Sequence, residues 1–178
     1  TTFFINSLAH IWGSQPFTDR NSARDNGILA FFTFGEGYHN FHHLFENDYR
    51  NGIRWWQFDP TKWLIRIAAW CGLARDLRSC PEERIEQARL EMQLKRAQAR
   101  LHKQDDRELW QALLQEEYDK LSLQIQHYYA NRKQLLEQRK RKALARYDRL
   151  KLQLEYRNLR DGFLVAKRNW SRLLAGIA

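Results

Sequence analysis

From Glu82 to Asp161 the chain contains neither glycine nor proline. Eighty residues without either breaker, rich in Gln, Arg, Lys, Leu, Glu and Ala, leave little choice but helix. The run opens on Ser79-Cys-Pro-Glu-Glu, a helix start with Pro81 at the first turn and Glu82 and Glu83 near the positive end of the helix dipole. Apolar residues recur at helical spacing: Ile85, Ala88 and Met92, then Leu109, Leu113, Trp110 and Leu114, then Leu121, Ile125, Tyr128 and Tyr129. Leu135, Leu136, Leu144, Tyr147, Leu150, Leu154 and Leu159 continue the pattern. It predicts long amphipathic helices packed as a hairpin or coiled coil, with a break at the polar stretch His102–Arg107.

Upstream of Pro81 the character changes. Six of the eight glycines, two of the three prolines and five of the seven tryptophans lie there. Two domains are therefore expected, 1–80 and 81–178. Charge divides the same way, with 8 Lys/Arg against 7 Asp/Glu in residues 1–81 and 22 against 14 in residues 82–178. The basic half suits an anionic leaflet or nucleic acid, but its acidic residues are interleaved and no nucleic-acid-binding motif is present. A nucleic-acid partner is not expected. Cys71 and Cys80 have neither disulfide-framework nor zinc-knuckle spacing.

The chain opens on TTFFINSLAHIWG, which reads as the end of an apolar helix, so the true start is expected upstream of Thr1. The apolar stretches Thr1–Gly13, Gly27–Phe34 and Trp63–Ala74 are all too short to span a bilayer. Trp55, Trp56, Trp63 and Trp70, with Arg54, Lys62 and Arg66, suit a helix lying at headgroup level with its cations turned outward, or local packing under the histidine site, and the two are compatible.

Chemistry concentrates at Gly35-Glu-Gly-Tyr-His-Asn-Phe-His-His43. His39, His42 and His43 stand at i, i+3 and i+4, so on a helix three imidazoles share one face. Imidazole suits zinc, copper, iron or nickel, and the spacing alone does not choose among them. Asn6 and His10 form a second i, i+4 pair in an apolar setting, where such side chains are functional candidates. Glu36, between two glycines, is placed to accept a hydrogen bond from a ligating imidazole or to sit at a helix start. His102 and His127 are isolated and read as surface or packing residues.

These elements together (NSLAH, GEGYHNFHH and the Asp59-Pro-Thr-Lys-Trp63 run) resemble the C-terminal part of the acyl-CoA delta-9 desaturase family, particularly its bacterial members, over about residues 1–78. The resemblance implies an all-α fold: the C-terminal part of a histidine-rich membrane domain, followed by the long helices. It also implies a di-iron centre ligated by His10, His39, His42 and His43, with Asn6 holding a metal-bound water. His39 and His43 would serve one iron and His42 the other. The implied activity is insertion of a cis double bond into an acyl-CoA or acyl-lipid chain, using dioxygen and two electrons from a donor of cytochrome b5, ferredoxin or rubredoxin type. The implied location is an integral membrane protein with the metal site and tail on the cytoplasmic side. The family's first two histidine boxes are not in this sequence, so the chain alone is expected to hold an incomplete, inactive centre. The alternative reading is a helical interaction or assembly module with no activity of its own, its basic C-terminal helices docking to a partner, to a membrane surface or, by self-association, to another copy.

Overall fold

The computed structural model describes residues 2–101, 106–140 and 146–177, with side chains for 7–101, 106–137 and 150–177. Among them the chain is all-α, as expected. Helices α1 (Thr2–Ile11), α2 (Gly27–Phe32), α3 (His39–Leu44) and α4 (Pro60–Trp70) precede the long α5 (Glu82–Arg100), α6 (Arg107–Lys140) and α7 (Arg146–Gly176). The only extended pairing among the described residues is two isolated bridges, Ser14 to Asp25 and Asp25 to Tyr38. The chain divides into two compact units, Thr1–Met92 and Gln93–Ala178.

In the first unit, short helices are held by side-chain caps rather than by their own length, as six-residue helices must be. Asn26 caps α2 by accepting from the N–H groups of Ile28 and Leu29. Asp59 caps α4 by accepting from Lys62 N, and Pro60 follows at the first helical position. The other Asp59 oxygen accepts from Asn51 N at 2.8 Å and Gly52 N at 2.9 Å, so a fully buried carboxylate is saturated with donors. A small core of Phe17, Phe41, Phe45 and Ile85 lies beneath, the Phe17 and Phe41 rings meeting edge to face at 5.4 Å. Ile85 belongs to α5, so the start of that helix is part of this unit.

Gly37 permits the closest approach: a Cβ there would sit 2.1 Å from the backbone nitrogen of Ala30, so α2 meets the following turn backbone to backbone. Gly35, at φ +106°, lies against the Asp59 carboxylate, where a Cβ would come within 2.8 Å of Oδ1. The two glycines beside Glu36 thus serve close packing.

One expectation needs correction. Lys62 does not turn outward; it is buried, and its ammonium donates to Gly52 O at 2.6 Å and Arg54 O at 3.1 Å. Burial lowers its pKa. Two backbone carbonyls facing the core needed a donor, and the lysine supplies it. Trp55, Trp56, Trp63 and Trp70 are exposed, as are Arg54 and Arg66. No described helix is long and apolar enough to cross a membrane.

In the second unit α6 and α7 pack along each other. Tyr118 meets Trp170 while Tyr128 meets Tyr156, so the two helices run antiparallel. The Tyr128 ring stacks on Phe163 at 5.1 Å, and its hydroxyl lies 3.0 Å from that of Tyr156. Trp170 is buried and donates its indole N–H to Gln93 Oε1 at 2.8 Å. Leu114, Leu121 and Ile125 are buried, whereas Leu109, Leu113, Leu150 and Leu154 remain exposed. Helix α5 ends at Arg100 and α6 begins at Arg107, bracketing the expected break; residues 102–105, His102 included, and Leu144 lie outside the described residues.

Candidate metal centre

Helix α1 brings His10, and α3 brings His39, His42 and His43, to one place. His39 and His43 sit one turn apart with their Nε2 atoms 3.0 Å from each other. The His10 ring lies 5.0 Å from the His39 ring and 5.6 Å from the His43 ring, centroid to centroid. Ligand nitrogens of His10, His39 and His43 all lie within 4.8 Å of one another. His42 is exposed beside this trio, its ring 6.2 Å from His39 and 5.9 Å from His43. Asn6 is on α1 one turn before His10, but its side chain lies outside the described residues. Glu36 is exposed on the turn before α3. His127 is exposed on α6.

Nearby imidazoles and burial both disfavour protonation. His39 is pushed down to about 4, chiefly by burial and then by His43, His10 and His42. It is therefore neutral at physiological pH, the state in which imidazole ligates a metal. The spacing suits an ion as well: with metal–nitrogen bonds of about 2.0–2.1 Å, nitrogens 3.0 Å apart are both within reach of one metal. The residues present fit a histidine-ligated transition metal.

A six-residue helix does not hold such a constellation by itself. Tyr38, at the N-cap of α3, makes no side-chain cap. Asp25 does that work instead, its Oδ1 accepting from Asn40 N at 2.8 Å and Phe41 N at 3.1 Å. Asn40, inside the histidine run and fully buried, clamps the preceding loop to α3. Its Oδ1 accepts from Phe17 N and Thr18 N, and its Nδ2 donates to Thr18 O and Ala23 O. Ser22 on that loop places its hydroxyl 2.8 Å from His10 Nδ1. Sequence reasoning passed over Asn40 and Ser22. For Asn40 a signal existed: one position off the histidine face, its side chain has to enter the packed side of a very short helix.

Asp25 gives a pH-dependent prediction. Burial raises its pKa to about 6 against the opposing pull of the two N–H groups and Arg89. Because the folded-state value lies above the unfolded one, the ionised carboxylate opposes folding. The resulting stability is fully present below about pH 4 and is lost as pH rises through 6. Asp25→Asn keeps an oxygen for both N–H groups and removes the charge. Thermal melts of the chain should show the variant more stable by about 1–3 kcal/mol at pH 8, with the gap closing at pH 4. Equal melting temperatures at pH 8 would contradict it.

Residues 1–69 match the model of the fatty acid desaturase family. The chain is 55% identical over 95 residues to acyl-CoA desaturase 1 of Saccharomyces cerevisiae, a stretch covering 53% of this chain and 19% of the yeast protein. It is 58% identical over 85 residues to a probable acyl-CoA desaturase of Schizosaccharomyces pombe, covering 48% of this chain and 18% of that protein. With the delta-9 desaturase-like 5 protein of Arabidopsis thaliana it shares 44% over 77 residues, 43% of this chain and 26% of the plant protein. The resemblance read from the histidine motifs is borne out. These three relatives are fungal and plant proteins, so its bacterial leaning finds no counterpart among them. The chain spans about a fifth of the length of the two fungal relatives it matches.

Proposed function

We propose, from the premise that residues 1–69 are a fatty acid desaturase segment, that the protein to which this chain belongs inserts a cis double bond into a fatty acyl chain. The observation that carries the reading is the convergence of His10, His39 and His43, from two separate helices, on a site with metal-ligand spacing. In this reading two irons are held there, one by His10, His39 and His43 and the other by His42 with ligands from the rest of the protein, Asn6 acting through a water. Bound there, they supply dioxygen activation. The reaction balances as R–CH2–CH2–R′ plus O2, two electrons and two protons giving R–CH=CH–R′ and two waters. The electrons come from an external donor of cytochrome b5, ferredoxin or rubredoxin type.

The chain's own part is to present neutral imidazoles in fixed orientations. Burial of His39 and its imidazole neighbours disfavours the protonated form that cannot ligate. The fungal relatives, named as acyl-CoA desaturases, support an acyl-CoA substrate. Exposed Phe32, Trp55 and Trp70, at 73%, 88% and 88%, support seating at a membrane surface; the cytoplasmic side for the site belongs to the desaturase reading alone.

The test is production of the full-length protein in a host without its own acyl desaturase, with cellular fatty acids resolved by gas chromatography and mass spectrometry. New monounsaturated species are expected. An expressed, iron-loaded protein that yields none overturns the assignment.

A further inference from the structure

We propose that Ser22 is a positioning residue of the metal centre, its hydroxyl accepting the Nδ1–H of His10 and holding the orientation of that ring; this rests on the desaturase reading above. The Ser22 Oγ lies 2.8 Å from His10 Nδ1, while the His10 ring faces His39 and His43. A neutral imidazole carries one N–H. If Ser22 Oγ accepts that N–H at Nδ1, the lone pair is at Nε2, the nitrogen left for an ion shared with the other two histidines. In the opposite tautomer Nε2 would carry the proton and could not ligate. A serine hydroxyl can serve either tautomer, but with an ion at Nε2 the proton is on Nδ1, and Ser22 Oγ is then its acceptor and holds the ring in the ligating orientation.

Ser22 is held where it must be by contacts that do not involve its own side chain. Its neighbour Ala23 is fully buried; the Ala23 carbonyl accepts from Asn40 Nδ2 at 2.9 Å, and its N–H donates to Asn21 Oδ1 at 3.1 Å. The next residue, Arg24, donates its backbone N–H to Ala9 O at 2.8 Å, directly before His10 in α1. The segment is thus tied to α1 on one side and to α3, through the buried Asn40 within the histidine run, on the other. Ser22 is exposed, and an exposed hydroxyl–imidazole hydrogen bond adds little to folding. Its value lies in orientation.

The experiment uses the full-length protein, purified with its iron, and compares Ser22→Val with Ser22→Thr, a pair of nearly equal shape differing in the hydroxyl. Iron content by mass spectrometry, the rate of iron loss to a strong chelator and the melting temperature are measured beside product formation. Ser22→Val should lose iron at least about tenfold faster than wild type with its metal-free melting temperature unchanged, and Ser22→Thr should hold iron as wild type does. If Ser22→Val retains iron as long as Ser22→Thr, the positioning role is overturned while the desaturase reading stands. A wild-type protein that binds no iron and forms no product sinks both.

Discussion

Replacing His39 by alanine in the full-length protein is expected to cut unsaturated product to below about a hundredth of wild type, while His127→Ala leaves it unchanged. Partners that merely orient a metal ligand typically contribute 10–100-fold to metal affinity or activity, so removing a ligand costs at least that much. His39 is the member of the trio closest to both others, with Nε2 3.0 Å from that of His43 and its ring 5.0 Å from that of His10. Alanine there leaves two imidazoles where three converge. His127, exposed on α6, takes no part in the cluster. The fold should survive, because alanine favours helix and His39 makes no cap. Acid titration of the metal-free protein separates loss of the ligand from loss of the fold. The His39 pKa falls from 6.5 to about 4 on folding, so the contribution of this histidine to wild-type stability is lost as pH drops through 6.5 toward 4, opposite in sign to that of Asp25. The variant lacks that contribution and should lose less stability over the same interval. Product at wild-type level from His39→Ala would remove this histidine from the metal site.

What the sequence disclosed and what it hid follow from the range of the interactions. The helices of the second half were legible because helix formation is local: eighty residues without glycine or proline, with apolar positions at helical spacing, point one way. Which leucines they bury was not, since Leu114 and Leu121 are covered while Leu150 and Leu154 are exposed by pairing between helices far apart in sequence. The i, i+3, i+4 spacing disclosed that His39, His42 and His43 share a helical face. It did not disclose that His10 joins His39 and His43 while His42 stands apart, because that depends on how α1 returns across the intervening loop. The loop's own fixings reach across 15 to 23 residues, from Asp25 to the N–H groups of Asn40 and Phe41 and from Asn40 to Phe17, Thr18 and Ala23. Such contacts leave no periodic trace. Lys62 shows the same limit from the other side. Its charge and aromatic company suggest a surface residue, and only the carbonyls of Gly52 and Arg54 explain its burial.

Asn40→Ala should destabilise the first unit strongly, by about 3–5 kcal/mol in denaturant or thermal unfolding of the chain. The side chain satisfies four backbone groups: the N–H groups of Phe17 and Thr18 at 2.9 and 3.2 Å, and the carbonyls of Thr18 and Ala23 at 2.7 and 2.9 Å. Phe17, Thr18 and Ala23 are themselves buried, so water cannot replace the amide without opening the core. Each orphaned buried group costs about 1–3 kcal/mol, partly relieved if the loop lifts away. That relief would carry Ser22 off His10, since the loop is what holds the serine 2.8 Å from the ring. Asn40→Asp should do no better. It keeps the acceptor for Phe17 and Thr18, loses both donated bonds and turns a negative charge toward two carbonyl oxygens. The two variants should therefore both lose stability, and Asn40→Ala should lose iron faster in proportion as the loop detaches. A change below about 1 kcal/mol for Asn40→Ala would mean that the loop is held to α3 by other contacts, with the Phe17, Phe41 and Phe45 cluster the next candidate.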